Sequence, residues 1–231
     1  MTKNFEPLPW DSEFFGVSIG RVQMKNAALP QLAETVRDAD QSGIACLYWL
    51  VDSADLLSAH SASQCGFRLV DIRITYERPL GASPAPSQSL RAMTPTDFPA
   101  LAAIARGSHG NSRFFADGNF SAERCEALYE EWLRKSRNVL VGEVDGQAAG
   151  YCSCELSGDG TGSIGLIAVD PRFRRVRLGQ ALVEGALEFF RKSGMESATV
   201  VTQGQNIASQ RLYQRCGFVT KSIQLWFHRW G

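Results

Sequence analysis

The chain lacks a net charge. It has 231 residues, with 24 Lys plus Arg against 24 Asp plus Glu. That balance argues against a partner held by bulk electrostatics, such as duplex nucleic acid or an anionic membrane surface. It lacks a long apolar run: nothing approaches the roughly 18–20 residues of a membrane span. The first sixteen residues, MTKNFEPLPWDSEFFG, contain no apolar stretch of the kind that marks a secretory leader and carry acids early, so the expectation is a cytoplasmic protein. Zinc spacing is missing among the six cysteines (Cys46, Cys65, Cys125, Cys152, Cys154, Cys216), and so is the pattern of a small disulfide framework. In a reducing compartment they read as small apolar core residues, and no metal is expected. The phosphate-binding pattern GxxxxGK[ST] is absent as well, which removes P-loop nucleotide chemistry.

What remains is an ordinary globular composition, 44% apolar and 21% charged, in a chain long enough to bury a sizeable core. Gly81 to Ser89, GASPAPSQS, has two prolines, three serines and no charge, and reads as a linker. It divides residues 1–80 from residues 90–231. The two parts share a faint repeat. Residues 30–79 align with 181–230 at a constant offset of 151, with Ser42-Gly43 on Ser193-Gly194, Cys65-Gly66-Phe67 on Cys216-Gly217-Phe218, and Ser58, Ile72 and Arg78 on Ser209, Ile223 and Arg229. Both copies read as helix, Ser-Gly turn, apolar strand, short helix, Cys-Gly-Phe and a final strand, so each half is one supersecondary unit.

The second part carries clear boundary signals. Thr94-Pro95-Thr96-Asp97 opens a helix with a capping residue, a proline at the first position and an early acid. Ser121 caps a helix over 122–136, with Leu128 and Trp132 on one face. Strands follow at 139–144 and 147–155, joined by Asp145-Gly146, a hairpin turn that needs positive φ at both residues. Another strand spans 163–169, then come a helix over 178–192, a β-branched strand over 197–202, a short helix over 206–215 and one or two strands over 217–230. This pattern predicts an α/β fold with a mixed sheet, antiparallel at its start and ending in a βαβ crossover.

Two segments carry chemistry. In Ile164–Leu182, IGLIAVDPRFRRVRLGQAL, a strand runs through a basic loop into a helix. A helix N-terminus offers unpaired amides and a partial positive charge, and Arg172, Arg174, Arg175 and Arg177 surround it, which suits a phosphate. By itself the loop also reads as a solvated basic turn. In Gln203–Phe218, QGQNIASQRLYQRCGF, Asn206 and Ser209 start a short helix, and Tyr213 lies about two turns after Asn206 on the same side. Taken singly, Asn206 reads as a helix cap and Tyr213 as half-buried packing.

Together these segments resemble the GNAT superfamily of acyl-CoA-dependent N-acyltransferases. The family's R/Q-x-x-G-x-G/A loop stands here as Arg174-Arg175-Val176-Arg177-Leu178-Gly179, with Arg177 in place of the middle glycine. Its N-x-x-A-x-x-L-Y-x-x-x-G-F pattern stands as Asn206, Ser209, Leu212, Tyr213, Gly217 and Phe218. Trp10 to Gly16, WDSEFFG, then Ser112-Arg113-Phe114 with Tyr129 and Trp132, and Ile223 to Phe227 resemble the branch that acetylates amino sugars on nucleotides.

The resemblance implies a GNAT fold over 90–231, preceded by a smaller, partial GNAT-like α/β domain. Acetyl-CoA is the implied cosubstrate. Its pyrophosphate would rest on the amides of Arg174, Arg175, Val176, Arg177, Leu178, Gly179 and Gln180. Its pantetheine would lie along Leu166, Ile167, Ala168 and Val169, near Asn206 and Ser209, with a backbone N–H near Ile167 or Val169 facing the oxyanion. Tyr213 would protonate the departing thiolate, Asn206 would hold the pantetheine or a water, and transfer would be direct in a ternary complex. Arg113, Phe114 and His109 are the candidate substrate residues, His109 also as a base beside a water chain. The acceptor expected is an amino sugar nucleotide. Acetylation of a protein N-terminus or small amine, and a non-catalytic acyl-CoA-binding module, are the alternatives. At the repeat offset Asn206, Tyr213, Gly179 and Arg174 fall on Asp55, Ala62, Ala28 and Gln23, so the first copy keeps none of the cofactor residues and has a structural or substrate-shaping role. The apolar end of the last strand, Leu225, Trp226 and Phe227, either pairs across a homodimer or packs in the core.

Overall fold

The computed structural model describes residues 4–81 and 88–231, so most of the 81–89 linker lies outside the described residues. The first part forms β1 (Phe5–Pro7), α1 (Pro9–Phe15), β2 (Ile19–Val22), α2 (Leu29–Gln41), β3 (Cys46–Asp52), α3 (Leu56–Gln64) and β4 (Arg68–Pro79). The second forms β5 (Leu90–Ala92), α4 (Phe98–Ser108), α5 (Arg113–Asp117), α6 (Ala122–Lys135), β6 (Asn138–Val144), β7 (Gln147–Leu156), β8 (Thr161–Val169), α7 (Leu178–Lys192), β9 (Ser197–Gln203), α8 (Ile207–Arg215) and β10 (Val219–Trp230).

Local chemistry sets these boundaries. Thr94 and Asp97 form a capping box around a single 3₁₀ turn that leads into α4. The Ser121 hydroxyl accepts the Arg124 amide at the start of α6. Asp145 and Gly146 turn between β6 and β7 with φ of 50° and 74°, the left-handed pair that a two-residue hairpin requires. The apolar stripe of α7 buries Leu182, Val183, Leu187 and Phe190, each contributing roughly 1.5–3 kcal/mol. The final segment is one strand, not two, because both of its edges find partners.

All ten strands of the described residues join one sheet in the order β1-β2-β3-β10-β4-β9-β8-β7-β6-β5. The β2–β3 and β8–β9 pairs are parallel and the others antiparallel. This mixed α/β sheet flanked by helices is the fold class the sequence predicts. One face packs against α2, α3, α7 and α8, the other against α1, α4, α5 and α6. The last strands of the two parts are exchanged: β4 lies between β9 and β10, and β10 lies between β4 and β3. Phe227 is therefore buried in the core around Trp49 and Leu47. Leu225, Trp226 and Phe227 have both edges occupied within the chain, by β3 and β4.

Five of the six cysteines are buried and all six are free thiols; only Cys65 is partly exposed. Cys65 and Cys216 hold equivalent places, at the C-caps of α3 and α8. No helix among the described residues is long and apolar enough to cross a membrane.

Candidate active site

The site begins where two parallel strands part. β8 and β9 pair only through Thr161–Ile164 and Ser197–Val200. Beyond that point β8 stays with β7, while Val201, Thr202 and Gln203 of β9 pair with Thr75, Ile74 and Arg73 of β4. A bulge helps β8 turn away: Gly165 and Leu166 together oppose Ser153, whose hydroxyl accepts the Leu166 amide at 2.7 Å. The wedge opens into a cavity of about 1160 Å³.

One end of the cavity is the N-terminus of α7. Arg175 and Arg177 both have left-handed backbone, φ 69° and 62°. Arg177 is the N-cap and offers no side-chain hydrogen bond to the helix. The first-turn amides of α7 are thus uncapped, the arrangement that receives an anion. Arg174, Arg175 and Arg177 line this end with Leu178, Gly179 and Gln180. Arg172 belongs elsewhere: its guanidinium folds back onto Asp170, 2.7 Å at the shortest contact. Val176 is also off the wall; it is exposed, and its carbonyl accepts the Gln88 amide at 2.8 Å.

Leu166, Ile167, Ala168 and Val169 form one side of the cavity, and Asn206, Ser209 and Tyr213 the other. Asn206 is the N-cap of α8, its Oδ1 accepting the Ser209 amide at 3.2 Å. Asp55 does the same for α3 through the Ser58 amide at 3.0 Å. Tyr213 is 2% exposed and packs against Tyr76 and Phe218. Burial raises its phenol well above the ordinary value, with a hydrogen bond to Ser209 acting the other way. At neutral pH Tyr213 therefore carries its proton.

The far end is aromatic. His109 stacks on Tyr129, centroids 4.3 Å apart, and its Nε2 lies 3.3 Å from the Tyr151 hydroxyl. Burial pushes the imidazole down to about 4, so it is neutral at pH 7 and a weak base. Arg113 and Phe114, expected beside it, are not on the cavity wall. Phe114 is core, 2% exposed among Phe15, Phe120 and Trp132. Arg113 lies deeper, its guanidinium about 4 Å from the ring centroids of Tyr48, Phe114 and Trp226.

Phe173 and the end of β9 also line the cavity, as does Leu212, which stands in the motif without a role of its own. Nothing in the β-branched run of β9 signals that it loses its parallel partner halfway. Cys46, Asp117 and His228 place potential metal-ligand atoms within 4.8 Å of one another. Both His228 nitrogens are already engaged, Nδ1 with Asp117 and Nε2 with Arg113, and burial pushes the Cys46 thiol far up, so the trio fits a hydrogen-bond network better than a metal.

Comparison with known proteins agrees with this geometry. The profile of the Acetyltransferase (GNAT) family matches residues 105–218. The dTDP-fucosamine acetyltransferase of Escherichia coli O6:H1 is 26% identical over 232 residues, covering 98% of each chain. The spore coat polysaccharide biosynthesis protein SpsD of Bacillus subtilis is 30% identical over 141 residues, 59% of this chain; the chain spans about half of that protein's length, 48%. A GCN5-related N-acetyltransferase from Sphaerobacter thermophilus shares the fold, with a TM-score of 0.71 at 16% identity over 98% of this chain and 76% of that one.

Proposed function

The chain belongs to the GNAT acetyltransferase family, and from that premise we propose that it transfers an acetyl group from acetyl-CoA to the amine of a nucleotide-linked amino sugar. The observation that carries the reading is the wedge between β8 and β9, with the uncapped N-terminus of α7 at one end and the protonated Tyr213 on its wall. The residues present fit acetyl-CoA. Amides of the Arg174–Gln180 segment would hold its pyrophosphate, and the unpaired side of Leu166–Val169 would hold its pantetheine. Acetyl-CoA, when bound, supplies an activated acyl thioester.

The chain's own groups then divide the work. Tyr213 holds a proton at its Oη, where a thiolate would leave. A positioned general acid is worth typically about 10²–10⁴-fold, and a thiolate already leaves well, so the low end of that range is expected. His109, neutral and on the cavity wall, can accept a hydrogen bond from the arriving amine, but with its pKa held down to about 4 it is too weak a base to deprotonate an ammonium, so that proton would leave through water. Tyr129 and Trp132 form the aromatic wall beside His109. The full-length likeness to the E. coli protein, whose name specifies dTDP-fucosamine, supports a sugar nucleotide as acceptor.

The test is thiol release from acetyl-CoA with dTDP-fucosamine, N-terminal peptides and polyamines as acceptors. Release with the sugar nucleotide at the highest kcat/KM is expected. Release with a peptide or polyamine alone would move the acceptor class, and CoA binding without release for any amine would leave an acyl-CoA-binding module.

A further inference from the structure

The sheet face beneath α1, α5 and α6 carries a group of charges away from the cofactor loop. On β4, Asp71 and Arg73 stand opposite Trp226 and Gln224 of β10. On β2, Arg21 stands opposite Tyr48 of β3. Arg113 reaches this floor from α5, and its Nη1 donates to His228 Nε2 at 2.7 Å. His228 donates from Nδ1 to Asp117, which also accepts the Trp230 indole N–H at 3.0 Å.

The charges on this floor are not paired with one another. Among the described residues no oppositely charged group lies within 4.0 Å of Arg113, Arg73, Asp71 or Asp11, and Arg21 has only Glu6, at 3.9 Å on the exposed side. The carboxylate best placed to neutralise Arg113, Asp117, is committed to His228. Tyr48 is fully buried, and its hydroxyl has no hydrogen-bond partner; Arg21 Nε is in the same condition. Burial lowers the pKa of both Arg73 and Arg113. Buried guanidinium groups are ordinarily paired, because desolvating a charge without a partner is costly. Two arginines, Arg73 and Arg113, left without close counter-ions beside an idle buried hydroxyl make a receptor for an anion that the chain does not itself provide.

We propose that Arg73, Arg113 and the Tyr48 hydroxyl bind the phosphate groups of the nucleotide-linked acceptor, with His228 and Asp117 as positioning residues for the Arg113 guanidinium. The proposal rests on the function inferred above and adds a phosphate subsite separate from the cofactor loop. The floor adjoins the cavity: Gln203, the cross-strand neighbour of Arg73, is on the cavity wall, as is Asn111, two residues before Arg113. Acetyl-CoA would then approach from the α7 side, and the acceptor from the face covered by α5 and α6. Asp71 and Asp11, near the same arginines, would repel a bare anion but suit a molecule that carries an ammonium beside its phosphates. The role also gives the first repeat a task, since Arg73 and Tyr48 both belong to it.

The experiment uses the full chain and measures dTDP binding by calorimetry with acetyl-CoA saturating, and KM for dTDP-fucosamine. Arg73→Gln is expected to weaken dTDP and raise the acceptor KM at least 10-fold, with the acetyl-CoA KM unchanged. Tyr48→Phe, which keeps the packing, should do the same to a smaller degree. His228→Gln, which retains an acceptor for Arg113, should leave the acceptor KM nearer wild type than His228→Leu does, with kcat less affected than KM in both. Unchanged dTDP affinity in Arg73→Gln, no dTDP binding to the wild type, or dTDP competing with CoA would overturn the proposal. If the wild type acetylates another amine and not dTDP-fucosamine, the function assigned above fails; loss of dTDP binding in Arg73→Gln would still uphold the phosphate subsite.

Discussion

Arg73 donates a hydrogen bond from its guanidinium to the side-chain carbonyl of Gln224, 3.2 Å away, and the two residues also face each other across the β4–β10 pair. They are the same position of the two repeats, 151 residues apart. Their neighbours pair symmetrically about them, Ile223 with Ile74 and Leu225 with Ile72. Gln224 faces Asp52 on one side, as Arg73 faces Gln203 on the other. An approximate two-fold axis therefore passes through the Arg73–Gln224 contact, and it relates β3 to β9 and β4 to β10.

This exchange of last strands has a consequence for the division at the linker. Residues 90–231 expressed alone would leave β10 with neither of its partners, β3 and β4, and would strip one edge of β9. Unpaired strand edges favour aggregation over a cooperative fold. The isolated segment should show no sharp thermal transition. Co-expression with residues 1–81 should restore a soluble complex on size exclusion. A cooperative transition in 90–231 alone would refute the interdependence.

Much of the site is legible in the sequence. The α7 helix over 178–192 and the Asp145-Gly146 hairpin follow from apolar spacing and turn chemistry, which act over a few residues. Leu166–Val169, most of the Arg174–Gln180 segment and Tyr213 do meet in one cavity. Arg113 was legible as a residue but not as a place: whether a guanidinium faces solvent or three aromatic rings depends on α5 crossing β10, a contact between residues more than a hundred positions apart. The strand exchange was invisible for the same reason, since two repeats with interchangeable last strands have one apolar pattern.

Tyr213→Phe removes a hydroxyl and leaves the ring that packs against Tyr76 and Phe218. The fold should persist, and kcat should fall by about 10²-fold with little change in the KM for acetyl-CoA. Steady-state thiol release checks this. A wild-type kcat would remove Tyr213 from the proton-donor role.

Arg177 holds φ 62°, the place where the family motif carries its middle glycine. A side chain other than glycine in that region costs about 1 kcal/mol. Arg177→Gly should therefore leave stability equal or slightly raised, and the loop amides in place. The KM for acetyl-CoA should rise only a few-fold, by the loss of one exposed charge. A rise of 100-fold would mean that the Arg177 guanidinium, not the backbone, holds the cofactor.

Asn206 has a structural duty that can be separated from any contact with a cofactor. Asn206→Ala removes the α8 cap and should destabilise the fold by about 1 kcal/mol. Asn206→Asp keeps a capping oxygen and should melt near wild type, while placing a carboxylate on the cavity wall. If Asn206 contacts the cofactor, both variants raise the acetyl-CoA KM; if it is only a cap, the Asp variant keeps the wild-type KM.

The buried histidines set an acid limit on stability. Burial holds both His109 and His228 at about 4, and in His228 the hydrogen bond to Asp117 offsets only part of that. In the unfolded chain each titrates near 6.5, so between pH 6.5 and 4 the unfolded state binds more protons and stability falls as the pH drops. Each contributes stability that is present above pH 6.5, of which roughly 2 kcal/mol is lost by pH 5. Asp71, raised to about 6 by burial, acts in the opposite direction over nearly the same range, but it is one group against two and compensates only in part. Urea midpoints should therefore drop clearly between pH 7.5 and pH 5. In His109→Asn the drop should shrink, because one of the two neutral imidazoles is gone; an equal drop in the variant would show that His109 titrates normally in the folded protein.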